Sequence, residues 1–124
     1  MNRVKFSYSP YNVNSLTQAA GAAAIRDEAY FRSVTGKVLT TRADTTEKLR
    51  ARGFTVLDSA TNFLFVTTDR MPCKQIFEAL RQRGILIRYF NAPRIDRYLR
   101  ITIGTPEQMQ RFFAALDEIL PPQC

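Results

Sequence analysis

The sequence predicts an α+β fold. Long N-terminal helices precede a ββαββα run, whose small, mostly antiparallel sheet is covered by helices on one face, a two-layer domain. Three observations carry this. Phe63, Leu64, Phe65 and Val66 form an unbroken apolar run of strand length. Leu99, Ile101 and Ile103 alternate with Tyr98, Arg100 and Thr102, the period of a strand with one buried face. Met109, Phe112, Phe113, Leu116, Ile119 and Leu120 then recur at helical spacing.

From the N-terminus, Phe6 and Tyr8 are spaced as in a strand or an extended arm. Pro10-Tyr11-Asn12-Val13-Asn14 reads as a turn, with Asn14 or Ser15 as N-cap of an alanine-rich helix over 15–26. Small residues on one face of that helix permit close approach of another element. Asp27 interrupts it and caps a second helix over 28–52, in which Phe31, Val34, Val38, Thr45 and Leu49 keep near-heptad spacing. Gly36 and the threonines at 40, 41, 45 and 46 lower its propensity, so packing must hold it. Gly53 suits its C-terminal end.

Strands are expected over 54–57 and 62–67, joined by an Asp58-Ser59-Ala60-Thr61 turn. Asn62 reads as a turn residue rather than a substrate ligand. Pro72 starts a helix over 72–83 with Ile76, Phe77 and Leu80 inward, and Gly84 closes it. A third strand covers 85–89 and a fourth covers 98–103, separated by a loop containing Pro93. Gly104 gives the backbone freedom to turn. Thr105, Pro106 and Gln108 then supply the N-cap, first position and capping-box glutamine of a final helix over 105–120, which Pro121-Pro122 stops.

The 124 residues suit one compact domain, and 45% hydrophobic content is that of a globular chain. Net charge is +7, from 18 Lys and Arg against 11 Asp and Glu, which favours an anionic partner without choosing one. There is no histidine, so no imidazole base or histidine metal site is expected. Cys73 and Cys124 are far apart and form no ligand cluster, which fits a reducing compartment. Cys73 stands near a helix start, where a thiol pKa can fall, although a passive cysteine fits as well. No signal-peptide pattern opens the sequence. The apolar run Ala19–Ile25 is too short to span a bilayer, so a cytoplasmic protein is expected.

Strand alternation has a geometric consequence. If Ile85, Ile87, Leu99, Ile101 and Ile103 face the helices, Arg88 and Arg100 share the opposite face on neighbouring strands. Two such guanidiniums make an anion clamp. Arginines on a solvated strand face fit the same pattern.

Four motifs occur in order: Pro10-Tyr11-Asn12-Val13-Asn14, Ala60-Thr61-Asn62-Phe63-Leu64-Phe65-Val66, Gly84-Ile85-Leu86-Ile87-Arg88 and Tyr98-Leu99-Arg100-Ile101-Thr102-Ile103-Gly104-Thr105-Pro106-Glu107. Together they closely resemble the C-terminal part of the histidinol-phosphate aminotransferases, pyridoxal-phosphate-dependent enzymes of fold type I. The resemblance runs from about Lys5 to Leu120. Singly, each motif recurs in other class I/II aminotransferases and in a threonine-phosphate decarboxylase. The resemblance implies amino transfer between histidinol phosphate and 2-oxoglutarate in histidine biosynthesis. It also implies that Arg100 binds the anionic end of the substrate and that Arg88 contacts its phosphate.

The serine-x-lysine segment that carries the Schiff-base lysine in that family has no counterpart here, and Lys5, Lys37, Lys48 and Lys74 lie in other contexts. The sequence therefore reads as the small C-terminal domain without its large cofactor-binding domain, and neither catalysis nor cofactor binding is expected of it alone. An uncovered sheet face, with Phe63, Phe65 or Leu64 partly exposed, would favour a homodimer. The reading from another class is a free-standing basic module for anions or RNA, using Tyr89, Phe90 and Tyr98. An RNP-type aromatic segment is missing, which disfavours nucleic acid. A regulatory or dimerisation fragment that kept the fold and lost the chemistry is the third reading.

Overall fold

The computed structural model describes residues 13–120. The expected N-terminal arm, Lys5, the Pro10-Tyr11-Asn12 part of the first turn, Pro121-Pro122 and Cys124 lie outside them. The chain divides into two compact units, one up to Thr35 and one from Gly36 onward.

The first unit holds helix α1 (Ser15–Arg26) and the start of α2 (Glu28–Ala51). The Asn14 carboxamide oxygen accepts from the Thr17 amide at 2.8 Å, the expected N-cap. Asp27 Oδ1 likewise accepts from the Tyr30 amide at 3.1 Å and opens α2. Among the described residues, no side chain of α1 is buried. Phe31 and Val34 are also exposed. The near-heptad stripe of α2 is thus buried only toward its C-terminal end, at Thr45 and Leu49.

The second unit carries the core. Strands β1 (Thr55–Val56), β2 (Phe63–Thr67), β3 (Arg88–Tyr89) and β4 (Leu99–Thr102) make one antiparallel sheet in the order β1-β2-β4-β3. Helices α3 (Cys73–Gln82) and α4 (Pro106–Ile119) contribute Ile76, Leu80, Met109, Phe112, Phe113 and Leu116 to the core. Leu49 of α2, Leu64 and Val66 of β2, and Leu99 and Ile101 of β4 complete it. Each strand therefore presents alternate residues to the helices, as the period of two requires.

Local chemistry sets the ends of these elements. Gly53 at φ +80 and Gly84 at φ +74 adopt the left-handed conformation that closes α2 and α3. Thr105 and Gln108 form a complete capping box at α4, with Pro106 at its first position. Gly104 serves a different purpose from the one expected. It is not among the positive-φ glycines. A Cβ there would instead collide with the Gln108 side chain, so the glycine makes room for the capping box.

The third strand is shorter than expected. Pairing begins at Arg88, because an open groove of about 410 Å³ separates residues 84–87 from 101–104. The Ile85 amide is spent on the helix end, donating to the Leu80 carbonyl at 3.0 Å. Ile85 and Ile87 still pack against the core while Leu86 is 80% exposed, so the alternation survives without the ladder.

Candidate anion site on the open sheet face

The register places Arg100 directly between two neighbours. Across β2 it faces Phe65, and across β3 it faces Arg88. All three belong to the row opposite the core residues Leu64, Leu99 and Ile101. The expected sharing of one face by Arg88 and Arg100 is what this register produces.

Aromatic rings wall the two guanidiniums. The Arg100 Cζ lies 5.3 Å from the Phe63 ring centroid and 6.0 Å from that of Phe90. The Arg88 Cζ lies 5.5 Å from the same Phe90 centroid. Phe65 stacks on Tyr98 at 4.7 Å and meets Phe90 edge-on at 6.2 Å. Ring faces carry negative quadrupole charge, so each guanidinium is held by attraction as well as by packing.

The electrostatics are incomplete as they stand. Arg32, Lys48, Arg52, Arg83 and Arg97 each pair with a carboxylate. Arg42 and Arg70 donate to the backbone carbonyls of Thr61 and Arg52. Among the described residues no carboxylate pairs with Arg88 or Arg100. The Arg100 Nε is shielded from solvent and makes no hydrogen bond among the described residues. Like charges directly opposed across a ladder repel, and an unpaired buried donor is costly. An anion with two or more acceptor oxygens relieves both at once.

Other sequence candidates go elsewhere. The Tyr89 ring stacks with Phe77 at 5.9 Å on the helix side, not with the open-face aromatics, because Tyr89 pairs with the core residue Leu99. The Asn62 carbonyl accepts from the Ile103 amide at 2.8 Å, a backbone role at the start of β2. Cys73 is buried, its thiol donating to the Arg97 carbonyl at 3.0 Å. Burial pushes that thiol up from its ordinary pKa, which is the passive reading. Among the described residues no cluster of Cys, Asp and Glu is arranged to hold a metal. No helix among them is long and apolar enough to cross a membrane.

The sequence offers Phe90 only for the nucleic-acid alternative, yet its ring lies against both guanidiniums, while Tyr98 braces the site through Phe65. Alternation places Tyr98, two residues from Arg100, on the open face; Phe90 lies just past the end of β3, where alternation does not fix the direction of its ring.

The family model for aminotransferase class I and II matches residues 1–116. The chain belongs to the class I and II aminotransferases. This aminotransferase chain is 45% identical over 123 residues to histidinol-phosphate aminotransferase 1 of Hydrogenovibrio crunogenus, covering 99% of the chain and 35% of that protein. The structure of histidinol-phosphate aminotransferase from Sinorhizobium meliloti, in complex with pyridoxal 5'-phosphate, superposes with a TM-score of 0.74 at 32% identity. That match covers 82% of this chain and 28% of the other. The enzyme from Clostridium acetobutylicum shares the fold, with a TM-score of 0.79 at 20% identity over 95% of this chain and 36% of that one. The aminotransferase chain thus spans about a third of the length of the relatives it matches.

Proposed function

We propose that this chain is the substrate-gripping C-terminal domain of a histidinol-phosphate aminotransferase. In this reading Arg100 holds the anionic end of the substrate, and Arg88 assists by contacting the phosphate of histidinol phosphate. The observation that carries it is the pair itself. Among the described residues, two arginines without a carboxylate partner stand side by side on the sheet face opposite the core, one with a shielded Nε that makes no hydrogen bond. Identity to relatives named as histidinol-phosphate aminotransferases supports the choice of substrates, histidinol phosphate and 2-oxoglutarate.

Pyridoxal phosphate is the cofactor this reading requires, and it supplies the electron sink for moving an amino group. The described residues do not fit as its holder. Lys37 and Lys48 sit on α2, Lys48 paired with Asp44 at 2.7 Å, and Lys74 lies on α3, in the helical layer behind the sheet. The chemistry at the cofactor therefore belongs to the two-thirds of the enzyme that the relatives have and this chain does not span. What this chain contributes is recognition. The guanidinium forks fix direction as well as charge, and the aromatic walls lower the local dielectric around them.

Exposed Leu16, Ile25, Tyr30 and Phe31, together with the half-buried Phe63 and Phe65, support association with a large domain or a second copy as a homodimer. The reading also implies a cytoplasmic setting.

The test is a chimera in which this chain replaces the matching third of the Hydrogenovibrio crunogenus enzyme. The reading expects turnover of histidinol phosphate with 2-oxoglutarate. A folded, cofactor-loaded chimera with no turnover of this pair would contradict it.

A further inference from the structure

The Phe90 ring touches both cations of the site, 5.5 Å from the Arg88 Cζ and 6.0 Å from the Arg100 Cζ. The ring is itself braced, edge-on at 6.2 Å, by Phe65. Phe65 is in turn stacked on Tyr98. We propose that Phe90 is a positioning residue that sets the spacing and orientation of the two guanidiniums for an oxyanion the size of phosphate. This rests on the reading of Arg88 and Arg100 as the anion-binding pair.

The argument is electrostatic. Arg88 and Arg100 are direct cross-strand partners, so their charges repel. No carboxylate among the described residues holds either one back. Long side chains of like charge splay toward water unless something local gathers them. A ring face attracts a guanidinium, and here one ring serves two. Phe63 holds Arg100 from a second direction at 5.3 Å but is not paired with Arg88, so Phe90 alone links the two heads among the described residues. Gathering the heads before the anion arrives removes an ordering cost from binding. The effect depends on the ring face rather than on bulk, so an aliphatic side chain of similar size cannot replace it.

The experiment titrates inorganic phosphate into the 124-residue chain and follows arginine Nε–Hε NMR signals, with that of Arg100 identified by its loss in Arg100→Lys. Variants are Phe90→Leu, Phe90→Tyr and Phe77→Leu, with Phe90→Met as the second truncation should Phe90→Leu not fold. Urea midpoints check folding. Phe77→Leu removes an aromatic ring from the helix side and is the control. Phosphate binding should weaken about tenfold in Phe90→Leu, the scale of two cation–π contacts. It should stay within about twofold of the parent in Phe90→Tyr and Phe77→Leu, where the Phe90 ring face survives. Parent-like affinity in a folded Phe90→Leu would overturn the proposal and leave the arginine pair standing. An equal loss in Phe90→Tyr would overturn it too, because the ring face is then not the cause. No response of Arg100 in the parent chain would remove the anion-binding pair itself, and Phe90's role with it.

Discussion

Arg88 and Arg100 are Cα partners in the β3–β4 ladder, and both guanidiniums lie over the ring of Phe90. Two like charges so placed carry a repulsion that a bound oxyanion would discharge. The pair exists because β3, although only two residues long, has Arg88 as its first paired residue. A slip of β3 by one residue against β4 would turn Arg88 toward the core and break up the pair.

Arg88 should discriminate between the two substrates. In the chimera, Arg88→Ala is expected to lower kcat/KM for histidinol phosphate more than for 2-oxoglutarate. Measuring the two half-reactions separately checks this. Equal losses would mean that Arg88 supports the site generally and does not serve the phosphate.

Acid stability should carry a contribution from α4. Arg52 makes a bidentate pair with Asp117 at 2.6 and 2.7 Å while lying over the Phe113 ring. That hydrogen bond, with the nearby charge, holds the Asp117 carboxyl below the usual carboxylate range. A carboxylate whose folded pKa is depressed stabilises fully above its unfolded pKa, about 3.9. The stabilisation is lost as pH falls through the lower, folded value. Asp117 is half exposed, so the amount stays below about 1 kcal/mol. Urea unfolding of the parent and Asp117→Asn should differ at pH 6 by that amount, and the gap should shrink as pH falls below the unfolded value. A gap that does not shrink as the carboxyl protonates would assign the effect to packing.

The final helix should depend on its cap. Thr105 Oγ1 accepts from the Gln108 amide, and Gln108 Oε1 accepts from the Thr105 amide at 2.9 Å. Thr105→Ala should cost about 0.5–2 kcal/mol in urea unfolding. Gly104→Ala should also destabilise, since its methyl would push the Gln108 side chain out of the box.

Leu64 and Leu86 form a paired test of the register. Leu64 is 2% exposed and Leu86 is 80% exposed. Leu64→Ala should cost about 2–5 kcal/mol, the range for emptying a packed core site. Leu86→Ala should stay within about 0.5 kcal/mol of the parent. Comparable costs in urea unfolding would contradict the assigned faces.

Much of this was legible in the residues. Alternation at 98–103 set the faces of β4, because strand periodicity acts locally; the unbroken apolar run at 63–66 gave a strand but not its faces, which pairing with β4 fixes. Caps at Asn14, Asp27 and Thr105 were legible for the same reason. The extent of β3 was not, since it depends on how far Gly84 and the α3 end hold residues 85–87 from β4. Burial along α2 was not legible either, because a heptad stripe shows what a helix can bury and not where a partner stands. The arginine pair followed from parity alone. The Phe90 bridge did not, because a loop residue's ring direction is set by its tertiary neighbours, here Phe65.

The central claim is that Arg100 grips the anionic end of the substrate. Steady-state kinetics of Arg100→Ala and Arg100→Lys in the chimera, measured for both substrates, test it most directly. Losing one member of a desolvated charged contact costs about 2–5 kcal/mol. That predicts kcat/KM falling roughly 30- to several-thousand-fold in Arg100→Ala. Arg100→Lys should remain impaired because it keeps the charge and loses the fork. Parent-level kcat/KM for both substrates in a folded Arg100→Ala chimera would contradict the account and leave Arg100 a strand arginine on an open face.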